Sequence, residues 1–332
     1  MKATHEPIVI ALKEPFVSNR GTLSQVTQQV LRLEWNGLVG FGTALAADPA
    51  ELARCVPVLA LTDTPFAFRS VLAELAAAGT RAAVLAAVDM ALHDLVGKAT
   101  GRPIRELFGL AGMPIPPTGL SIGACPDAEL ARRGRELADW PILKLKMTPE
   151  DDGHRAGVLR SVYSGRIWVD GNGSWTPQRA VEVAGTLSRY GVELLEQPVP
   201  PGADIGYVRD QSAIAVLADE DCVGPADVQG LVGRVDGINI KLTKCGGVSA
   251  AWDMIALARR TGLRVMLGCK NESSLGVTAM AQLAGAADYL DLDGHLNLLA
   301  DPFTGASVQS GIITVPDNPG LGVSPEAPME EG

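Results

Sequence analysis

Five polar motifs recur through the middle of this chain at nearly equal intervals, and that spacing leaves few folds open. They are Lys144-Leu145-Lys146, Asp170-Gly171-Asn172, Glu196-Gln197-Pro198, Asp219-Glu220 and Lys241-Leu242-Thr243-Lys244. Steps of 24, 26, 23 and 22 residues separate Lys146, Asp170, Glu196, Asp219 and Lys241. A strand, a helix and two short turns consume about that much chain. Successive strands of a parallel sheet would therefore each present one polar residue near the same end.

The surrounding sequence supports this alternation. Strands are expected at 115–122, 142–147, 166–170, 193–196, 214–219, 237–241, 264–267 and 289–293, with helices at 127–138, 176–190, 248–260 and 273–283; 202–210 is the weakest helix candidate. Eight parallel strands with crossover helices define an α/β fold, a (β/α)7–8 TIM-like barrel. Its span of roughly 180 residues is a little short for eight full units, so one helix is expected to be short or missing.

The first part of the chain has a different rhythm. Residues 8–12, 24–35 and 38–42 read as strands, with the hairpin turn Asn36-Gly37 between the last two. Residues 49–61, 65–78 and 80–100 then read as helices, the last with Thr80 as its N-cap. The chain thus divides into an N-terminal α+β capping domain, 1–112, and a barrel, 113–304. The Pro- and Gly-rich tail, 305–332, returns to the capping domain and carries a strand at 312–315.

Composition narrows the function classes. Hydrophobic residues make up 47% and charged residues 20%, enough for a large core. A net charge of −10 and a pI near 5.0 argue against a nucleic-acid partner. The most apolar stretch, 82–95, is interrupted by Asp89, His93 and Asp94, so no membrane span is expected, and no signal peptide is evident. Five scattered cysteines without a CxxC pair indicate reduced thiols in a cytoplasmic protein.

The chemistry follows from the strand ends. In a barrel the C-terminal ends of the strands form the catalytic face. Three carboxylates, Asp170, Glu196 and Asp219, converging there repel one another unless a cation sits among them. Oxygen donors without His or Cys select Mg²⁺, with Mn²⁺ as a stand-in. Lys144 and Lys146 share one face of their strand, pointing into the barrel. Mutual repulsion and a nearby cation are expected to lower their pKa values towards neutrality. Lys241, four strands later, faces Lys146 across the interior. One lysine could remove an α-proton from a substrate carboxylate and the other reprotonate the opposite face, the metal stabilising the enediolate.

These motifs, with Asn239-Ile240-Lys241, the stretch from Asp89 to Leu95 and the stretch from Pro319 to Val323, resemble the enolase superfamily, within it the muconate-lactonizing-enzyme subgroup. The resemblance spans nearly the whole chain. It implies metal ligands at Asp170, Glu196 and Asp219, acid/base lysines at Lys146 and Lys241, and an N-terminal domain closing over the barrel mouth. Lysine bases working beside Mg²⁺ are that superfamily's known chemistry.

Asp291-Leu292-Asp293 at the eighth strand resembles the pair with which dipeptide epimerases hold a peptide's amino group. The resemblance implies that role for Asp291 and Asp293, and hence epimerisation at the α-carbon of a dipeptide's C-terminal residue. Lys144, Cys269, Lys270 and Arg20 complete the candidate substrate contacts, and Ser121 takes a place where dipeptide epimerases often have threonine. Lid residues that help set substrate choice are shortened before Pro49. Related activities use the same lysines and metal, namely N-acylamino-acid racemase, o-succinylbenzoate synthase and cycloisomerase. A non-catalytic metal-dependent peptide- or amino-acid-binding barrel is the alternative of another class. The partner expected is a small-molecule dipeptide, and the chain is expected to form a homo-oligomer.

Overall fold

The computed structural model describes residues 1–19 and 21–326. It opens with an antiparallel sheet of β1 (Lys2–Ser18), β2 (Gly21–Trp35) and β3 (Leu38–Leu45). Asn36 and Gly37 both have positive φ, as the Asn-Gly turn requires. β1 and β2 change register between Ala11 and Phe16, so β1 carries a bulge. The bulged segment is pinned to the barrel: the Lys13 N–H donates to Asn297 O at 2.7 Å, and Leu12 bridges Leu298. The β1–β2 hairpin end is thereby held over the barrel mouth.

Helices α1 (Pro49–Leu61), α2 (Phe68–Ala77) and α3 (Ala82–Thr100) pack on this sheet, and the short α4 (Ile104–Leu107) follows. α3 is almost wholly buried and rich in alanine, which allows strand β3 to come close. A Cβ on Gly42 would lie 1.9 Å from Ala87 O. Thr80 is not the cap of α3. That helix starts after Arg81 with no side-chain cap, because the Thr80 N–H instead closes the end of α2 on Leu75 O.

The barrel strands are β4 (Leu120–Ile122), β5 (Ile142–Lys146), β6 (Arg166–Asp170), β7 (Val192–Glu196), β8 (Ala215–Ala218), β9 (Gly237–Ile240), β10 (Arg264–Gly268) and β11 (Tyr289–Asp291), in sequence order and parallel. The ring closes through Gly119 N–H to Leu290 O at 2.9 Å and Leu292 N–H to Thr118 Oγ1 at 2.8 Å. β4 is shorter than the expected 115–122, since Pro116 and Pro117 have no N–H for a ladder. Around the ring run α5 (Asp127–Glu136), α6 (His154–Arg160), α7 (Pro177–Arg189), α8 (Ile205–Gln211), α9 (Pro225–Leu231), α10 (Leu242–Cys245), α11 (Val248–Thr261) and α12 (Ser274–Ala281). The weak candidate at 202–210 is α8, capped by Asp204 accepting the Tyr207 N–H at 3.2 Å.

The barrel interior is built in storeys. Ile142, Trp168, Leu194, Leu217, Met266 and Tyr289 form a separate apolar cluster. Two residues further along, on the same face, come Lys144, Asp170, Glu196, Asp219, Gly268 and Asp291. The intervening Leu143, Leu145, Ile167 and Val169 face outward into the main core, each contributing about 1.5–3 kcal/mol by burial. After the barrel, β12 (Phe303–Thr304) pairs with β15 (Ser324–Pro325), and β13 (Ser307–Gln309) with β14 (Ile312–Thr314). The tail then docks on α3, where Asp94 Oδ1 accepts the Leu321 N–H at 2.9 Å. Among the described residues, no helix is long and apolar enough to cross a membrane.

Candidate active site

Asp170 closes β6, Glu196 closes β7 and Asp219 directly follows β8. Their exposures are 0%, 0% and 3%, so all three charges are withdrawn from solvent. The parallel register sets Asp170 against Glu196. After these acids the chain turns sharply. Asn172 (φ 44°) and Gln197 (φ 34°) occupy the left-handed region that non-glycine residues seldom adopt. Local hydrogen bonds hold these turns. Asp170 Oδ1 accepts the Asn172 N–H at 2.8 Å. Gln197 Oε1 accepts the Asp219 N–H at 2.9 Å, and its Nε2 donates to Asp221 Oδ2 at 2.8 Å. Gly171 permits the crossing of the two loops, since a Cβ there would lie 2.8 Å from Pro198 Cα.

Each carboxylate meets an amine. Lys146 Nζ donates to Asp170 Oδ2 at 2.6 Å, and Lys241 Nζ donates to Asp219 Oδ2 at 2.7 Å. Lys144, fully buried, donates to Asp291 Oδ2 at 2.6 Å and lies 2.7 Å from Glu196 Oε2 and 3.5 Å from Asp170 Oδ2. Two further participants were not read as site residues from sequence. Lys244 bonds Asp219 Oδ1 and donates to Asn239 O at 2.9 Å. Asn239 Nδ2 donates to Glu196 Oε1 at 2.8 Å. Period-two counting back from Lys241 would have found Asn239, and a single helical turn forward would have found Lys244.

Burial alone lowers a lysine's pKa, but Asp291 and Glu196 outweigh it at Lys144, as Asp219 and Glu196 do at Lys241. Both amines are held above the ordinary lysine range. For Lys144 this reverses the expectation of a lowered pKa. Its ammonium sits among three carboxylates, Asp291, Glu196 and Asp170, whose attraction outweighs the cost of burial. Burial raises Asp170 and Asp219, yet Lys146 and Lys144 hold Asp170 down, and Lys241 and Lys244 hold Asp219 down. Glu196 is pushed up, by burial first and then by repulsion from Asp170.

Among the described residues, no three His, Cys, Asp or Glu side chains already form a metal cage, each acid here being turned onto an amine. The donor set nevertheless fits a hard divalent cation. It is all oxygen, buried and drawn from neighbouring strands, and Glu196 Oε2 has no aligned hydrogen bond although an amine stands beside it.

A cavity of about 530 Å³ lies between the hairpin end and the barrel mouth. Lys146, Lys241, Asp219, Cys269 and Lys270 line its barrel side, and Phe16, Leu23, Val26 and Leu45 its cap side. Asp170, Glu196, Lys144 and Asp291 are not part of that lining and lie buried. Asp293 lines an adjoining cavity of about 580 Å³, together with Ser121, whose N–H it accepts at 2.6 Å. Burial and then Asp291 push Asp293 up to about 6. Asp291 Oδ1 is a buried acceptor with no donor. Cys269 Sγ lies 3.2 Å from Asp291 O and accepts the Gly294 N–H at 3.2 Å, and burial holds its thiol well above the usual range. Arg20 lies outside the described residues.

Glu272 accepts the Lys270 backbone N–H at 3.1 Å, and burial raises its pKa from 4.5 to about 7. A raised carboxyl pKa means the fold favours the protonated form. Its contribution is therefore fully present below pH 4.5 and lost as pH rises through 7. Glu272→Gln is expected to stabilise the protein by about 3 kcal/mol at pH 8 and by less than about 1 kcal/mol at pH 5. Urea unfolding at the two pH values measures this, and an equal change at both would remove the argument.

Residues 3–109 match the family model of the mandelate racemase / muconate lactonizing enzyme N-terminal domain, and residues 127–329 that of the enolase C-terminal domain-like family. The chain belongs to this mandelate racemase / muconate lactonizing branch of the enolase superfamily. Within it, the chain is 35% identical to an L-Ala-D/L-Glu epimerase of Bacteroides thetaiotaomicron, covering 97% of this chain and 88% of that one. It is 33% identical to a hydrophobic dipeptide epimerase of Roseobacter litoralis, covering 97% and 98%. The crystal structure of an Enterococcus faecalis dipeptide epimerase, complexed with Mg and the dipeptide L-Leu-L-Tyr, superposes with a TM-score of 0.91 at 29% identity, covering 97% and 99%.

Proposed function

We propose that this chain is a Mg²⁺-dependent dipeptide epimerase, an isomerase that moves a proton at the α-carbon of a dipeptide's C-terminal residue through an enediolate intermediate. One observation carries the reading: two lysines, one ending β5 and the other directly following β9, four strands away in an eight-stranded barrel, line the same cavity while bonded to different carboxylates. Relatives named as dipeptide epimerases support it across almost the full chain.

Asp170, Glu196 and Asp219 would hold the cation. Bound there, Mg²⁺ would disperse the negative charge that develops on the substrate's carboxylate. Lys146 takes the α-proton on one face and Lys241 returns a proton on the other; for the opposite epimer the roles exchange. Lys244 and Asn239 keep Asp219 and Glu196 oriented, and Lys144 fixes Glu196 and Asp291 from within the same storey. Asp291 and Asp293 receive the substrate's ammonium group. Cys269 and Lys270 form the wall beside the side chain at the inverted carbon, and Arg20 is a further substrate contact. The same reading puts the chain in the cytoplasm as a homo-oligomer, in keeping with five unbridged cysteines and the prevalence of symmetric assemblies.

A dipeptide library incubated with the protein and Mg²⁺ in D₂O tests the reaction. Deuterium is expected at the inverted α-carbon of at least one dipeptide, read by mass spectrometry, and no incorporation across the library would end the epimerase reading. Asp293→Asn is expected to raise KM for dipeptides at least tenfold. Undiminished activity in that variant would point to substrates without a free amine.

A further inference from the structure

Lys241 is followed by one of the least self-supporting elements in the barrel. α10 has four residues, a single turn, which cannot persist by its own hydrogen bonds. It ends in Gly246 and Gly247, with φ of 98° and 119°, which reverse the chain into α11. The N-cap of α11 is Gly247, which has no side chain to cap that helix.

The missing cap comes from the other end of the sequence. Asp89, on α3, accepts the Ser249 N–H through Oδ2 at 2.7 Å and the Ser249 hydroxyl through Oδ1 at 2.8 Å. Its side chain is fully buried. Gly247 is shaped to admit it, since a Cβ at that position would lie 2.4 Å from Asp89 Oδ2. Gly246 also faces α3 but less closely, since a Cβ there would meet Leu85 at an ordinary contact distance of 3.7 Å. Asp89 is held from behind by His93, whose Nδ1 is 3.0 Å from Oδ1 and whose ring packs between Phe68 and Phe108. The short segment after Lys241 is therefore clamped at both ends: Lys244 to Asp219 and Asn239, and Ser249 to Asp89.

We infer that Asp89 is a positioning residue for one of the two bases, setting through Ser249 and α10 where the Lys241 amine stands. Lys146 does not depend on this clamp. Its strand end is held by Arg155, which donates to Lys146 O at 2.6 Å. The capping helix thus controls proton transfer on one face of the substrate and leaves the other face alone. This inference rests on the two-lysine reading above.

The experiment uses the full chain with Mg²⁺ and a dipeptide that the wild type inverts. Inversion and deuterium wash-in without inversion are measured for each epimer separately. Asp89→Asn is expected to lower inversion tenfold to a hundredfold through kcat, with KM within about twofold. Wash-in to the epimer whose proton faces Lys146 stays within about threefold of wild type, while wash-in to the other epimer falls with inversion. Ser249→Ala, which removes one of the two bonds and keeps the helix, is expected to show the same asymmetry at a smaller amplitude, and it carries the test should Asp89→Asn fail to fold. Equal losses of wash-in at both epimers, or no loss in either variant, overturn the inference while the epimerase reading stands. A wild type that neither inverts nor exchanges any dipeptide overturns both.

Discussion

Lys241→Ala is expected to lower epimerisation by roughly a thousandfold or more, and Lys146→Ala by a similar factor, because in the proposed two-lysine scheme each removes the base assigned to its face. The informative result is what survives. With Lys241 gone, Lys146 can still remove and return a proton on its own side, so one epimer should continue to take up solvent deuterium without inverting. With Lys146 gone, the surviving exchange should switch to the other epimer. Proton NMR in D₂O of each epimer with each variant reads this directly. Exchange lost for both epimers in both variants would mean that the lysines do not work as independent bases. Near-normal inversion in either variant would mean that a different group carries the proton.

Removal of divalent cations is the second large effect. Chelation is expected to abolish turnover by at least a thousandfold, and added Mg²⁺ should restore it. The reason lies in the buried charges. Asp170, Glu196 and Asp219 are withdrawn from water and lie close enough that repulsion from Asp170 helps push Glu196 upward. A cation binding there is also expected to raise the thermal midpoint of the folded chain with concentration, since only the native state gathers the three acids. Glu196→Gln should weaken both responses, shifting the Mg²⁺ concentration needed for half-maximal stabilisation upward by at least tenfold. A midpoint insensitive to Mg²⁺ would argue that these acids serve only the lysines beside them.

Much of this arrangement was legible in the sequence, for identifiable reasons. β6 was expected at 166–170 and is found there, because an unbroken apolar run ends in a single acid whose burial fixes the strand's last residue. α1 likewise starts and stops where Pro49 and the apolar pattern say it should, with Asp48 accepting the Ala50 N–H. The chemistry-bearing residues were visible because a strand's period of two forces every second side chain inward. Where reading failed, a tertiary partner decided. Thr80 resembles a cap but closes the preceding helix. The strand expected from residue 115 begins only at Leu120, past two prolines. α6 and α9 are only seven residues each, too short for a convincing helical period, although Pro225 and Asp227 are a start signal that could have been weighed for α9. The direction of the Lys144 pKa could not be read from a local motif, since its decisive neighbour, Asp291, lies far along the chain.

The apolar cluster of Ile142, Trp168, Leu194, Leu217, Met266 and Tyr289 has a consequence for traffic. It floors the charged storey above it with apolar side chains, so the site opens at the mouth beneath the β1–β2 hairpin. The cavities that reach the site's residues open at this doorway, both lined by Phe16 of β1. Whatever seals that doorway therefore governs, in one stroke, entry of the peptide, departure of the product and exchange of the lysine protons with bulk solvent.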